Sequence, residues 1–390
     1  MKNNIIKMYF LKAILWFMVS MPIIVIFFTD EHNLSISQVM ILQGIYSITI
    51  AFFEIPSGYI ADILGRRKSI IFGTIFSFIG FIFFSFFSGF LFFAIAQIFV
   101  GLGGSLISGS DVALIYDTLI EIDQTERYTK IEGKNYAIGN FSEATAGILG
   151  GILAATSLYI PIYAQTVIIF FSIPVAFSLI EPSINLNEKS QSSLFDIKNI
   201  FISTFIDNTR LKWLIILSSF VGVATLSIAW FVQPYFQLIG IHLSLFGFLW
   251  ALLNFLAGIS SYNAYRFINF YRTKYFYFII SILIFSCIFF MGLNISYFGI
   301  FFVIVIYIIR GILTPFLRDE INKIIESKRR ATILSIRSFI IRISFAISAP
   351  LIAYFGEIYS FSLSLYILAI FVGIFLFVSS YKIYKLNTNA

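Results

Sequence analysis

The sequence predicts an all-α membrane protein of twelve transmembrane helices in two pseudo-symmetric six-helix bundles. Three observations predict it: an extreme apolar composition, twelve separate apolar runs, and positive charge confined to one set of connections. The 390 residues are 59% hydrophobic and only 12% charged, with a mean hydropathy of +0.94. Soluble domains carry about 25% charged residues, and a water-soluble fold cannot hide this much apolar surface. A bilayer hides it, because roughly 20 apolar residues in a helix cross the hydrocarbon core with their backbone hydrogen bonds satisfied internally. The lone Cys287 lies in an apolar run, which excludes an internal disulfide or a cysteine metal cluster.

The runs fall at 8–29, 37–60, 69–88, 91–117, 134–156, 159–180, 211–236, 243–265, 275–294, 297–317, 332–355 and 360–381. The first is too long, and lacks the small-residue cleavage site, for a removable signal peptide, and is read as a span. Alternate connections carry Lys2, Lys7 and Lys12; Arg66, Arg67 and Lys68; Arg127, Lys130 and Lys134; and Lys189, Lys198, Arg210 and Lys212. The same side takes Arg266, Arg272 and Lys274, then Arg318, Lys323, Lys328, Arg329 and Arg330, then Lys382 and Lys385. The opposite loops, around Glu31, Gly89, Leu158, Ile241, Ile295 and Glu357, hold none. Positive charge is retained on the cytoplasmic side, so both termini are expected inside the cell. The net charge of +7 is then a signature of topology, and nucleic acid is not an expected partner.

The longest hydrophilic stretch divides the chain into an N-terminal bundle (1–180), a cytoplasmic linker (181–210) and a C-terminal bundle (211–390). In the linker, Leu194, Ile197, Phe201 and Phe205 recur at helical spacing, which predicts an amphipathic helix at the inner interface. Weak repetition relates the halves. Glu143 precedes Gly150 and Gly151 by the same interval that separates Arg342 from Ala349 and Pro350. The loop after the second run also has a faint counterpart in Arg266, Arg272 and Lys274.

The most specific motif runs from Glu54 through Pro56, Gly58, Asp62 and Gly65 to Arg66, Arg67 and Lys68. Gly58 permits close helix packing, Asp62 is an acceptor at a helix end, Gly65 permits a tight turn, and the basic triplet pairs with acids or lipid phosphates. The stretch resembles the G-x-x-x-D-x-x-G-R-[RK] signature between spans 2 and 3 of the major facilitator superfamily, with Gly58, Asp62, Gly65, Arg66 and Arg67 on it. The resemblance implies a conformational latch. In it, Asp62 meets the start of span 11, near Arg329 and Arg330, and the arginine meets an acid at the inner end of span 4, where Asp117 stands. It also implies alternating access, with both bundles rocking about a central cavity.

Two departures accompany the resemblance. Gln97 to Gly101 lacks the arginine of the R-x-x-Q-G motif found in span 4 of many proton-coupled members, and Ala146 to Gly151 lacks the proline of the drug-antiporter motif G-P-x-x-G-G. Glu54-Ile-Pro-Ser-Gly58 with Tyr116-Asp-Thr-Leu119 looks like a large, substrate-diverse bacterial efflux branch.

Ionisable groups within spans are costly and mark function by default. Glu143 and Arg342 fall near mid-membrane, Arg310 is similarly deep, and Asp111 and Glu54 lie in the inner half. Glu143 and Arg342 are expected to face one another or one cavity, with Asn140 a turn from Glu143. They act either as a proton-coupled site or as a static buried pair. Gln233, Trp230 and Tyr307 fall on spans that line the cavity in the resembled fold. His32 and His242 sit in separate outer loops without a metal-spaced carboxylate cluster, and no phosphate-binding loop is present. No catalytic residue, cofactor or metal is expected. The expected partners are a small-molecule substrate, protons or another coupling ion, and lipids, with the chain as a monomer in the bacterial cytoplasmic membrane. The leading expectation is proton-coupled efflux of a small cationic or amphipathic compound. The alternative is a proton-linked or facilitative importer of a small metabolite or sugar: the acids lean toward a cation, and Arg310 and Arg342 toward an anion.

Overall fold

The computed structural model describes residues 2–183, 208–264, 275–325 and 330–388. The expected amphipathic linker helix and the counterpart loop with Arg266, Arg272 and Lys274 lie outside the described residues. Every regular element among those described is helical, as the apolar runs require. The chain divides into two compact units: residues 1–189 with 241–251, and residues 190–240 with 252–390.

In the first unit, α1 (Lys2–Trp16) ends where the chain opens, and a single turn (Ile24–Ile26) then runs into a π-helical turn (Phe27–Glu31). There follow α2 (Ile36–Leu64), α3 (Arg66–Phe86), α4 (Phe90–Ile107), α5 (Ser110–Glu121), α6 (Tyr128–Ala154) and α7 (Tyr159–Ser178). Ser35 starts α2 with a capping box: its Oγ accepts from Gln38 N at 3.2 Å, and Gln38 Oε1 accepts from Ser35 N at 3.0 Å. Between α4 and α5 the chain kinks at Gly109, whose φ of +81° suits glycine. Helices α3 and α4 approach through small residues. A Cβ on Gly103 would fall 2.2 Å from Ser77 Oγ, and one on Gly80 2.5 Å from Val100 Cγ2. Such close backbone approach is how helices associate where lipid removes the hydrophobic drive. At one end of this unit, Met8, Leu11, Ile70, Ile115, Leu119, Ile131 and Leu179 form a buried apolar cluster. It ties α1, α3, α5 and α6 to the segment leaving α7.

The second unit contains α8 (Thr209–Leu238), the latter part of α9 (Leu243–Tyr262), α10 (Phe276–Leu293), α11 (Gly299–Ile324), α12 (Arg330–Ile358) and α13 (Phe361–Thr388). Helix α8 packs against α11, α12 and α13. Gly222 lets Ile341 close on it, and the rings of Phe220 and Phe375 stack at 3.8 Å. The first part of α9 is grouped with the first unit because Gly247 meets Gly147 and Gly151 of α6 at backbone distance.

Among the described residues, ten helices are long and apolar enough to cross a membrane. The two expected runs outside that set are helical in part or whole, and each departs for a physical reason. The first is broken after Trp16, so α1 has only 15 residues. The fifth, α6, carries Lys130, Glu132, Lys134, Asn140 and Glu143 within its 27 residues.

Candidate functional site

The loop joining α2 to α3 is built around Gly65. Its φ is +97°, and a Cβ there would stand 2.8 Å from the carboxyl carbon of Glu181. That carboxylate caps α3: its two oxygens accept from Arg66 N and Arg67 N, both at 2.7 Å. An anion at a helix N-terminus satisfies orphan N–H groups and complements the helix dipole. Arg67 Nη2 donates to Phe177 O at 2.8 Å, and Arg66 Nε lies 3.8 Å from Asp117 Oδ2. The side chains of that ion pair are 22% and 25% exposed, so the pair orients the loop more than it stabilises it. Helix α12 begins at Arg330, while Arg329 and the side chain of Asp62 lie outside the described residues. Gly58 corrects one expectation. A Cβ there meets nothing within 4 Å among the described residues, whereas Gly73, Gly80 and Gly103 are packed closely.

A second constellation lies within the first unit, on α1, α5 and α6. Lys12 Nζ is 3.4 Å from Asp111 Oδ2, with the side chains 14% and 13% exposed, and 4.7 Å from the centroid of Trp16. Lys12, expected among the loop charges that set topology, is in the structure an enclosed ion-pair partner. Asp111 occupies the first turn of α5, where the kink at Gly109 turns its carboxylate to the helix N-terminus and Oδ1 accepts from Val112 N at 2.8 Å. From α6 comes Glu132, half-buried and in electrostatic reach of both Asp111 and Lys12. Asn135, one turn on and fully buried, donates to Glu132 Oε2 at 3.4 Å. Its own Oδ1 is enclosed and accepts nothing among the described residues. Trp16 is seated edge-on against Tyr136 at 6.0 Å, over Gly139, whose Cβ would strike the indole at 2.9 Å.

The remaining expected residues divide between the units. On the first, Glu54 and Glu143 are half-buried, and Asn140 is exposed with its amide turned back to Tyr136 O at 2.9 Å. On the second, Trp230, Gln233 and Tyr307 are buried, and Arg310 is exposed with its guanidinium 5.6 Å from the Tyr307 ring. Arg342 is half-buried on α12 with an enclosed Nε that donates to nothing among the described residues. Glu143 and Arg342 thus belong to different units. Sequence reasoning passed over Glu132, Asn135 and Glu181, and also Arg337, whose Nε donates to Ser218 Oγ at 2.5 Å. Among the described residues, no group of His, Cys, Asp and Glu could hold a metal ion.

Two bodies of long apolar helices define a polytopic membrane protein, and comparison with known proteins supplies its family. The family model described as Major Facilitator Superfamily matches residues 7–319, and the chain belongs to that superfamily. A curated relative, an uncharacterised MFS-type transporter, YxaM of Bacillus subtilis (strain 168), is 25% identical over 225 residues; these cover 56% of this chain and 55% of the relative. The chain therefore matches only about half of that relative's length. Among solved structures, the nucleoside transporter NupG is similar with a TM-score of 0.77 and 12% identity, over 97% of this chain and 99% of that one. A D-xylose-proton symporter gives a TM-score of 0.73 and 14% identity, over 95% and 96%. At such identities these likenesses speak to fold. The chain is an integral membrane transporter rather than an enzyme.

Proposed function

We propose that the chain is a proton-coupled exporter of a small cationic or amphipathic solute, working by alternating access. The observation that carries this reading is the enclosed Lys12–Asp111 pair. A charge held in an apolar interior is tolerated only while its partner is charged. Protonating Asp111 therefore leaves Lys12 costly where it sits, and so biases one conformation against another. Energy then comes from the proton gradient. On this reading the protein is a monomer in the bacterial cytoplasmic membrane, with twelve crossings and both termini inside. Gly58, Asp62, Gly65, Arg66, Arg67 and Asp117 act as the latch of one state. Glu143 and Arg342 serve as further coupling groups, and Glu54, Asn140, Arg310, Gln233, Trp230 and Tyr307 as substrate contacts.

The test is uptake of amphipathic cations into everted vesicles across a pH series, for the native protein, Asp111→Asn and Glu143→Gln. The reading requires uptake driven by the pH gradient and lost with Asp111→Asn. Pump-independent equilibration unaffected by pH would refute it. A second reading, import of a small anionic or neutral metabolite with a proton, is favoured by the enclosed, undonated Nε of Arg342. It requires the opposite direction: accumulation in right-side-out vesicles under an inward proton gradient.

A further inference from the structure

Resting on the exporter reading, we infer that Asp111, Glu132 and Asn135, walled by Trp16, form a binding site for a protonated amine, and that the Lys12 ammonium occupies it as a built-in competitor.

The argument begins with charge. The set holds two carboxylates, Asp111 and half-buried Glu132, and one cation, Lys12. One positive charge is missing, and a proton or a monovalent cation supplies it equally well. The surrounding groups do not supply it. Lys134 is exposed and lies over the Tyr9 ring at 5.1 Å, while Arg127 is exposed and bonded to Gln124 at 2.6 Å. Tyr9, Tyr116 and Tyr128 complete the rim.

Geometry then selects the kind of cation. The Lys12 ammonium sits between a carboxylate at 3.4 Å and an indole face at 4.7 Å, which is the chemistry that recognises organic cations. The unsatisfied Oδ1 of fully buried Asn135 asks for a hydrogen-bond donor. A primary ammonium offers N–H donors to it; a quaternary ammonium offers none. Tyr136, edge-on to Trp16, adds an apolar wall for an attached hydrocarbon. Binding is then an exchange: the amine enters as a cation beside Asp111, Lys12 shifts from Asp111 toward Glu132 within the same set, and the proton that Glu132 held leaves. Charge balances at one cation for one proton.

The test uses the purified full-length protein with hexylammonium and hexyltrimethylammonium as probes, read by calorimetry and by proton release in weakly buffered solution. Hexylammonium should bind more tightly than its trimethyl analogue, by about tenfold, the worth of one charge-assisted hydrogen bond. Asn135→Leu should erase that preference. Lys12→Met should tighten hexylammonium binding, and Glu132→Gln should abolish proton release. Weaker or unchanged binding by Lys12→Met overturns the proposal, as does equal affinity for both probes. Each variant is first checked for a monodisperse elution profile, and Lys12→Gln serves if Lys12→Met fails to fold. The two readings fail separately. Amine binding with proton release but no gradient-driven flux removes the exporter and keeps the site. Proton-driven flux of another solute without amine binding does the reverse.

Discussion

At Gly65 two constraints meet, a left-handed backbone and a carboxylate 2.8 Å from where a Cβ would be. Gly65→Ala should therefore cost on the order of 1–3 kcal/mol, the usual range for a strained backbone position, read as a lowered melting temperature in detergent. Glu181→Ala should cost about 1 kcal/mol through loss of the cap, whereas Gly58→Ala should leave stability within about 0.5 kcal/mol. The need for glycine before a basic pair was visible in the motif. Glu181 was not, because its partners lie 115 and 114 residues away and no local periodicity joins them. Outside the spans, His32 offers a pH test. Its ring lies 4.7 Å from both Phe27 and Phe93, its Nε2 is enclosed without a hydrogen-bond partner among the described residues, and burial lowers its pKa, only partly offset by Glu31. The folded protein thus resists protonating His32 while the unfolded chain accepts the proton near pH 6.5. Stability from this residue is intact above that value and is lost as pH falls through it toward the lower folded pKa. Melting temperatures from pH 7.5 to 5 should fall more steeply for the native protein than for His32→Phe; parallel curves would refute this.

Among the elements, α1 and α6 are the pair that departs from plain hydropathy, and they carry most of the charge cluster. The break after Trp16 ends α1 at 15 residues, and α6 spends apolar positions on Glu132, Asn135, Asn140 and Glu143. Their irregularity and their chemistry have one cause: enclosed polar groups lower hydropathy wherever they are placed. The fifth apolar run begins at residue 134, just beyond Glu132, and Lys12 lies among the N-terminal basic residues. A boundary error of two residues was enough to hide Glu132. Which side chains converge from three helices was not legible, since that depends on rotation set by contacts such as Gly139 with Trp16. At the α3–α4 contact the prediction is steric. Gly103→Leu must displace Ser77 or part the helices, and should abolish monodisperse folded protein, while Gly104→Ala, with no heavy atom nearer than 3.8 Å, should be tolerated.

At the scale of the whole molecule, composition carried the prediction furthest. Burying 59% hydrophobic residues requires lipid, and the membership of the superfamily follows from a family match over residues 7–319. The same bulk properties say nothing of substrate, because a solute is chosen by a few side chains in a large apolar background. If positive charge sets orientation as proposed, reporter tags at Gly89 and Ile241 should be accessible from outside the cell and a tag after Lys385 should not. Coupling is the claim on which the rest of the account depends. Its most direct measurement is proton movement in proteoliposomes carrying an internal pH dye, with the protein in one orientation and an amphipathic amine added to one side. The account predicts a solute-dependent proton flux opposite to the amine, lost with Asp111→Asn; solute flux with no accompanying proton movement would contradict it.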